Sequence, residues 1–574
     1  MTRAVVTCAL AGLAACSAGP PGPGVDVDRA LGHVAALTAL GPHPGDSPGA
    51  QRAARYIEGE LAAIGLRVER MPVGTVTIPA IDLLGTHQRS ARTRVTTDPD
   101  LIVRLGPATG RAVLVMAHYD TVPASPGAVD NSAAVAVTLE LARVLAAAPP
   151  PAPVMLAFTA NEEIGLVGAE ALAAQRAGEV AFAIALDLIG GSGELTLNGA
   201  SRLIGRAELG WLARAADRAG VVVRAPLPHR VISRAWPQAE RSDHGPFTRR
   251  GTPAVHFYHR GQDGERIDLA YHSARDTAAR VDRRSVDEIG RLLRAITEGP
   301  PPPPHDGDGF WPPVAVNLVV PRALLVGLDL ALAALALGVL ATLRTPRARG
   351  GVGLGAGAAC FLAAGAATAL VERLAAGDHA APWLHAPGAA VVAELALLLG
   401  SFGLLTRLAR RFAPWVGAVR YLAVAIALPL AVGLGCLFVG AAELAWIWLV
   451  PAAACAIAPR LGRFGGAAIA AALLPGVLVL APDQLREAAW NGFLPTAIPL
   501  AAWIAGVALA PLATLAWWVR RSPPPGPLGT FVLPVGCGLA IILGIVATLG
   551  TRLPCTSRQF HDFSLACEVM RPVR

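Results

Sequence analysis

The chain has 574 residues, 53% of them hydrophobic, with 49 basic against 41 acidic residues and a net charge of +8. That length excludes one ordinary domain, and a mean hydropathy of +0.49 excludes a wholly soluble protein. Every basic residue other than histidine is arginine, since the chain holds no lysine, and Ala, Gly and Pro usage is heavy. The positive balance therefore belongs largely to composition and membrane loops, and it is poor evidence for a nucleic-acid partner; none is expected.

Residues 1–16 hold a single basic residue, Arg3, and a short apolar run that ends in Leu-Ala-Ala-Cys. About a dozen apolar residues suit the core of an export signal, because a membrane span needs about 20. The run resembles a bacterial lipoprotein signal with Cys16 as the lipidated residue. An ordinary export signal or a short anchor are the alternatives, and all three carry the downstream chain out of the cytoplasm. Residues 17–27, rich in Pro and Gly, read as a flexible linker.

Helical periodicity starts at residue 28 in DRALGHVAALTALG and returns in GAQRAARYIEGELAAIG, each stretch closed by glycine, with the turn GPHPGDS at 41–47 between them. A strand pair is expected near 66–78 and 101–105. Further strands are expected at 193–197 and 221–224 with a helix over 201–220 between them, and a closing helix over 285–297.

Three apolar runs of strand length, 112–117, 154–160 and 181–186, each end in residues able to bind a metal or move a proton: His118, the pair Glu162 and Glu163, and Asp187. In an open α/β sheet the carboxyl ends of the strands line the ligand crevice, so these side chains would converge. Zinc takes imidazole and carboxylate ligands, and two such ions close together need a bridging carboxylate to offset their repulsion. Asp130, in a Pro-Gly loop leading into an apolar helix over 132–145, is the candidate bridge. His118 and Asp187 would complete one metal, and Glu163 with a later histidine the other. Glu162 is then free to act as a general base.

The set HYD at 118–120, PGAVDN at 126–131, NEE at 161–163, LD at 186–187 and YHSARDT at 271–277 resembles the M28 zinc peptidases, aminopeptidases with glutaminyl cyclases among their relatives. The resemblance covers residues 28–299 and implies an α/β fold, a zinc-exopeptidase-like mixed β-sheet flanked by helices. It implies two Zn2+ ions held by His118, Asp130, Glu163, Asp187 and His272, with Glu162 as general acid and base. It also implies that Asp120 accepts the second ring N–H of His118, and that the Asp130–Asn131 peptide bond is cis. Asp243 and Asp276 read as supporting or capping residues, His256 as a hydrogen-bonded core histidine, and His244 as part of a pocket-lining segment or a structural loop.

The proline run opening residues 300–322 reads as an extended spacer. Beyond it, within 323–550, eight apolar segments of spanning or nearly spanning length occur, approximately 323–343, 352–371, 389–406, 419–438, 442–458, 464–481, 495–518 and 530–549. Alternate connections carry arginines, among them Arg344, Arg407, Arg460 and Arg520. The intervening ones carry mostly acids, among them Glu372, Glu443 and Asp483. By the positive-inside rule this all-α bundle lies in a bacterial plasma membrane with the zinc domain and the tail at 551–574 outside. Cys555 and Cys567 in that tail would then pair, whereas Cys360, Cys436, Cys455 and Cys537 fall in spans and pack. Asp329 and Glu394, charged residues inside predicted spans, mark either a pathway or a paired structural site.

The expected function is a membrane-anchored exopeptidase that removes N-terminal residues from peptides outside the cytoplasm. Two other readings compete. One is a glutaminyl cyclase-like acyltransferase with one zinc, and the other a transporter or receptor whose outer domain only binds peptide.

Overall fold

The structure is a computed structural model of the chain. It describes residues 24–78, 91–199, 203–225, 242–259, 272–299, 317–343 and 418–461, with short pieces between these stretches. They divide into two compact units, with the boundary between Pro321 and Arg322.

The first unit opens with α1 (Val27–Thr38) and α2 (Pro48–Ala63). Asp26 caps α1 by accepting from Arg29 N, and Ser47 caps α2 by accepting from Ala50 N with Pro48 in the first turn. Strands β1 (Glu69–Ile78) and β2 (Arg92–Leu105) follow, and then β3 (Ala112–His118), α3 (Ala133–Ala147), β4 (Val154–Thr159), α4 (Val167–Arg176) and β5 (Val180–Leu186). The unit continues with β6 (Leu195–Asn198), α5 (Arg206–Ala219), α6 (His244–Arg249), β7 (Ala254–His259) and α7 (Arg283–Thr297). Residues 221–224, expected as a strand, make only an isolated bridge from Arg224 to Thr196.

These strands form one seven-stranded mixed sheet in the order β1-β2-β4-β3-β5-β7-β6. β4, β3, β5 and β7 run parallel, while β1 and β2 on one side and β6 on the other are antiparallel to their neighbours. Every residue of β3, β4 and β7 is buried, as continuous apolar strands covered by helices on both faces should be. β3 lies at the middle of the parallel block, with its chain successors β4 and β5 on opposite sides. The crevice outside the ends of the three strands is therefore where side chains from each can meet.

The N-terminal helices are fastened to this core by a buried charge. Glu140, in the middle of α3 with its side chain fully buried, accepts from Arg29 Nε at 3.1 Å, Arg143 Nε at 3.1 Å and His33 Nε2 at 3.3 Å. The second ring nitrogen of His33 is 2.7 Å from the Tyr56 hydroxyl, which brings α2 into the same network. Burial alone would raise the Glu140 carboxyl, but hydrogen bonds from His33, Arg143 and Arg29 overcome it and hold the group down at about 2. A carboxyl lowered in the folded state stabilises the fold above its ordinary range and loses that contribution as pH falls toward the folded value. Acidification from about pH 4.5 toward 2 should therefore destabilise the wild type more steeply than Glu140→Gln. Unfolding midpoints of both full-length proteins across that range check this, and parallel profiles would remove the assignment.

Within the segment expected as a spacer, the described residues Asp306, Gly307 and Asn317 bond to α5 and to the chain just beyond it. Asp306 accepts from Ala207 N at 2.8 Å and from the Arg206 guanidinium at 2.7 Å, while Arg206 N donates to Gly307 O at 2.8 Å. Asn317 donates to Asp217 and Val221 O and accepts from Val223 N. Trp311 is fully buried in the main core. The physical reason is the tryptophan: proline keeps the chain extended, but a large apolar side chain just beyond finds a place in the core. Trp311→Ala is expected to cost about 3–5 kcal/mol of stability. Pulse proteolysis of the full chain would detect this, and an unchanged profile would return the segment to a mere tether.

In the second unit α8 (Arg322–Thr342), α9 (Ala418–Phe438) and α10 (Ala442–Ile457) pack through Ala333, Ala336, Ile426, Leu430, Leu449 and Ala452. Two described helices, Arg322–Thr342 and Ala442–Arg460, are long and apolar enough to cross a membrane. Arg322 pairs with the buried Glu443 at 3.0 Å, and Asp329 is fully buried with no hydrogen bond to either carboxylate oxygen among the described residues. Cys436 is unbridged among the described residues. The other five expected spans, Glu394, and the expected Cys555–Cys567 pair lie outside the described residues.

Candidate metal centre

The centre begins where β3 ends. His118 is buried, with Nδ1 3.1 Å from the backbone carbonyl of Asp120 and 3.7 Å from its carboxylate. Donation of Nδ1–H to that carbonyl turns Nε2 inward as a lone-pair donor. Asp120 therefore stands opposite this ring N–H through its backbone oxygen. Its carbonyl rather than its carboxylate is nearest to His118, and the carboxylate accepts instead from Glu162 N at 3.0 Å and Glu163 N at 3.2 Å. A buried carboxylate seeks donors, and two consecutive N–H groups on the neighbouring strand end supply them.

His118 Nε2 points at two carboxylates, 3.2 Å from Asp130 Oδ1 and 3.7 Å from Asp187 Oδ1. Asp187 follows directly on β5. Asp130 arrives on a loop that turns back at Gly127, where φ is 70° and a Cβ would meet Asp130 O and Thr121. Only glycine fits there. The Asp130–Asn131 peptide is cis, and Asn131 Nδ2 donates to Leu186 O at 2.8 Å, tying the loop to the end of β5.

Past β4, Ala160 N donates to Asp100 at 2.9 Å and Asn161 turns the chain with φ 58°. Asp243 accepts from Thr159 Oγ1 at 2.5 Å. Glu163 then reaches His272, with 3.1 Å between Oε2 and Nε2, and His272 Nε2 is 3.2 Å from Asp130 Oδ2. Each oxygen of Asp130 therefore faces a different imidazole.

Burial and mutual repulsion shape the charges. Burial pushes the Glu163 carboxyl up to about 7, with the Asp130 charge adding to it, and pushes Glu162 well above the carboxylate range. Burial would lower His118, but the Glu162 charge and the carboxylates of Asp120, Asp130 and Asp187 raise it well above its ordinary value. Such a cluster calls for cations. Among the described residues, His118, Asp130 and Asp187 form one group able to hold a metal ion, and Asp130, Glu163 and His272 form another. A third group of His118, Glu162 and Glu163 overlaps both. Among the described residues, His118 Nε2 and Glu163 Oε1 are buried without a hydrogen bond, as donors aimed at an ion would be. Imidazole and carboxylate donors at these positions fit zinc.

Other residues singled out in the sequence fall around this centre. His256, on β7, is stacked between His244 and Tyr258 and lies 4.0 Å from Asp187 Oδ2. His244 is fully buried against Glu240 at 2.8 Å, a structural place rather than a pocket wall. Sequence reasoning missed the part of the 41–47 turn. His43 N donates to Thr121 Oγ1 at 2.9 Å, and Gly45 lies flat against the side chain of Asn161, where a Cβ would collide with Oδ1. The glycine itself was the available signal, but a turn glycine carries no address for what it touches.

A mixed sheet with zinc-type donors from five separate stretches, two groups of them sharing the Asp130 carboxylate, defines a metalloenzyme centre. Residues 100–297 match Peptidase family M28. Aminopeptidase YwaD of Bacillus subtilis (strain 168) is 30% identical over 193 residues, which are 32% of this chain and 40% of that protein. The chain thus spans about two fifths of the length of this curated relative. Among solved structures, the aminopeptidase from Aneurinibacillus sp. strain AM-1 is similar with a TM-score of 0.39 and 18% identity, covering 51% of this chain and 97% of that one. The zinc aminopeptidase BSAP from Bacillus subtilis gives 0.37 and 17%, covering 47% and 94%. The glutaminyl cyclase of Fimbriiglobus ruber gives 0.39 and 20%, covering 49% and 97%. The stretch 100–297 thus resembles the peptidase domain of family M28.

Gly45→Ala should displace Asn161 and lower stability by about 1–3 kcal/mol. Gly32→Ala, within α1 and with open space around it, should be neutral or stabilising by up to about 1 kcal/mol. Denaturant unfolding of both variants tests the contrast, and equal effects would sink it.

Proposed function

We propose that this protein is a membrane-anchored aminopeptidase that works with two zinc ions per chain on peptides outside the cytoplasm. The observation that carries the reading is Asp130, whose two oxygens each stand 3.2 Å from a different buried imidazole. His118 and Asp187 would complete one metal position, and Glu163 and His272 the other. Four carboxylates, counting Glu162, would then face two divalent cations, so that the charges balance. A one-metal cyclase reading would leave one complete donor group unused.

Zinc, when bound, would polarise the scissile carbonyl and make water more acidic. The protein's own contribution is to place and move a proton. Glu162 belongs to neither of the two groups that share Asp130, and its backbone N–H is held by Asp120. Its carboxyl, raised by burial and by the charges of Asp187, Glu163 and Asp243, is suited to take a proton from the attacking water and return it to the leaving amine. The apolar helices, the arginine-bearing alternate loops and the signal-like start support anchoring with the peptidase domain outside.

Glu162→Gln should lower hydrolysis of an aminoacyl anilide by about 10²–10⁴-fold while zinc content stays that of the wild type. The wild type should cleave unblocked peptides in preference to N-blocked ones and lose activity in chelator. Cyclisation of an N-terminal glutamine peptide without anilide hydrolysis would replace this reading with the acyltransferase one.

A further inference from the structure

One buried aspartate near the centre touches none of the metal-donor atoms, yet holds the whole bridge loop. The N–H groups of three consecutive residues converge on Asp276: Ala128 N donates to its backbone carbonyl at 3.2 Å, Val129 N to Oδ1 at 2.8 Å and Asp130 N to Oδ2 at 3.0 Å. Asp276 is itself fixed. It is 1% exposed and lies four residues after His272, in a turn closed by Asp276 N donating to Ser273 O at 3.1 Å and Arg275 N to Ser273 Oγ at 3.2 Å. His272 opens that turn with φ 54°, so the imidazole and the Asp276 carboxylate are presented from opposite ends of one tight segment.

A rotation of the 128–130 backbone would carry the Asp130 carboxylate away from both imidazoles at once, and Gly127 before it offers no resistance of its own. Among the described residues, the three N–H groups have Asp276 as their common anchor. The residue that sets the backbone of the shared ligand is thus carried by the same turn as the ligand unique to one metal position.

We propose that Asp276 is a positioning residue that couples the two metal positions by locking the Asp130 loop to the His272 turn. The inference rests on the zinc reading above and concerns how that centre is assembled. An aspartate offers two acceptor oxygens to the two N–H groups, whereas asparagine offers one oxygen and presents an NH2 donor to the other. Asp276→Asn should therefore loosen the position that uses both Asp130 and His272 more than the one that uses His118 and Asp187.

The test is a zinc titration of metal-free full-length wild type and Asp276→Asn against a chromophoric chelator, read as two stepwise dissociation constants. The expected result is a weakening of about 10–100-fold in one step with a smaller change in the other, and activity restored by excess zinc. Two unchanged constants would overturn the proposal. So would equal weakening of both steps accompanied by a lower melting temperature of the metal-free variant, which would make Asp276 a general stabiliser. Failure of the wild type to retain any zinc would overturn the proposed function itself, and this inference with it. The two failures are therefore read from different proteins.

Discussion

The first unit depends on one carboxylate that cannot be buried alone. Asp130 is 4% exposed, lies among Asp187, Glu162 and Glu163, and has an imidazole opposite each oxygen. Taking that much like charge out of water is costly unless opposite charge meets it. Burial would raise the Asp130 carboxyl, yet the two imidazoles hold it below the usual carboxylate range. Much of the surrounding backbone serves this arrangement. Asp120 and Asp276 each hold consecutive N–H groups, Asn131 reaches Leu186, and Gly127 permits the approach.

The sheet makes that meeting possible. Its four parallel strands point their carboxyl ends the same way, and the switch at β3 opens a crevice into which β3, β4 and β5 each deliver a ligand-bearing loop. The antiparallel strands at the two edges carry no ligand, and their ladders extend the core that holds the parallel block rigid. Rigid elements are needed because a metal tolerates only small errors in ligand placement.

Much of this was legible in the sequence for a physical reason. Strands buried on both faces must be apolar throughout, so AVLVMAH, VMLAFT and AFAIAL announce themselves, and a His, Glu or Asp directly after such a run has few other reasons to be there. Residues that act through the backbone were harder to read. Nothing in the local sequence says that Asp120 reaches across to Glu162 and Glu163, or that Asp276 gathers three N–H groups from a loop nearly 150 positions away. β7 and α4 escape such reading, since AVHFYH is interrupted by His256 and His259 and VGAEALAAQR is weakly patterned. The expected strand at 221–224 failed because three consecutive valines signal β propensity, while among the described residues only Arg224 after them bridges to the sheet, at Thr196.

The contacts of Asp306, Trp311 and Asn317 change what a cut in the linker would do. A protease severing the proline run at 300–304 would break the covalent thread between the peptidase fold and the apolar half. Trp311 would still be lodged in the core and Asp306 and Asn317 still bonded to α5 and the chain just beyond it. The nicked chain would stay assembled as two non-covalently joined fragments, so parting the peptidase fold from the apolar half would require cleavage beyond Pro321 instead.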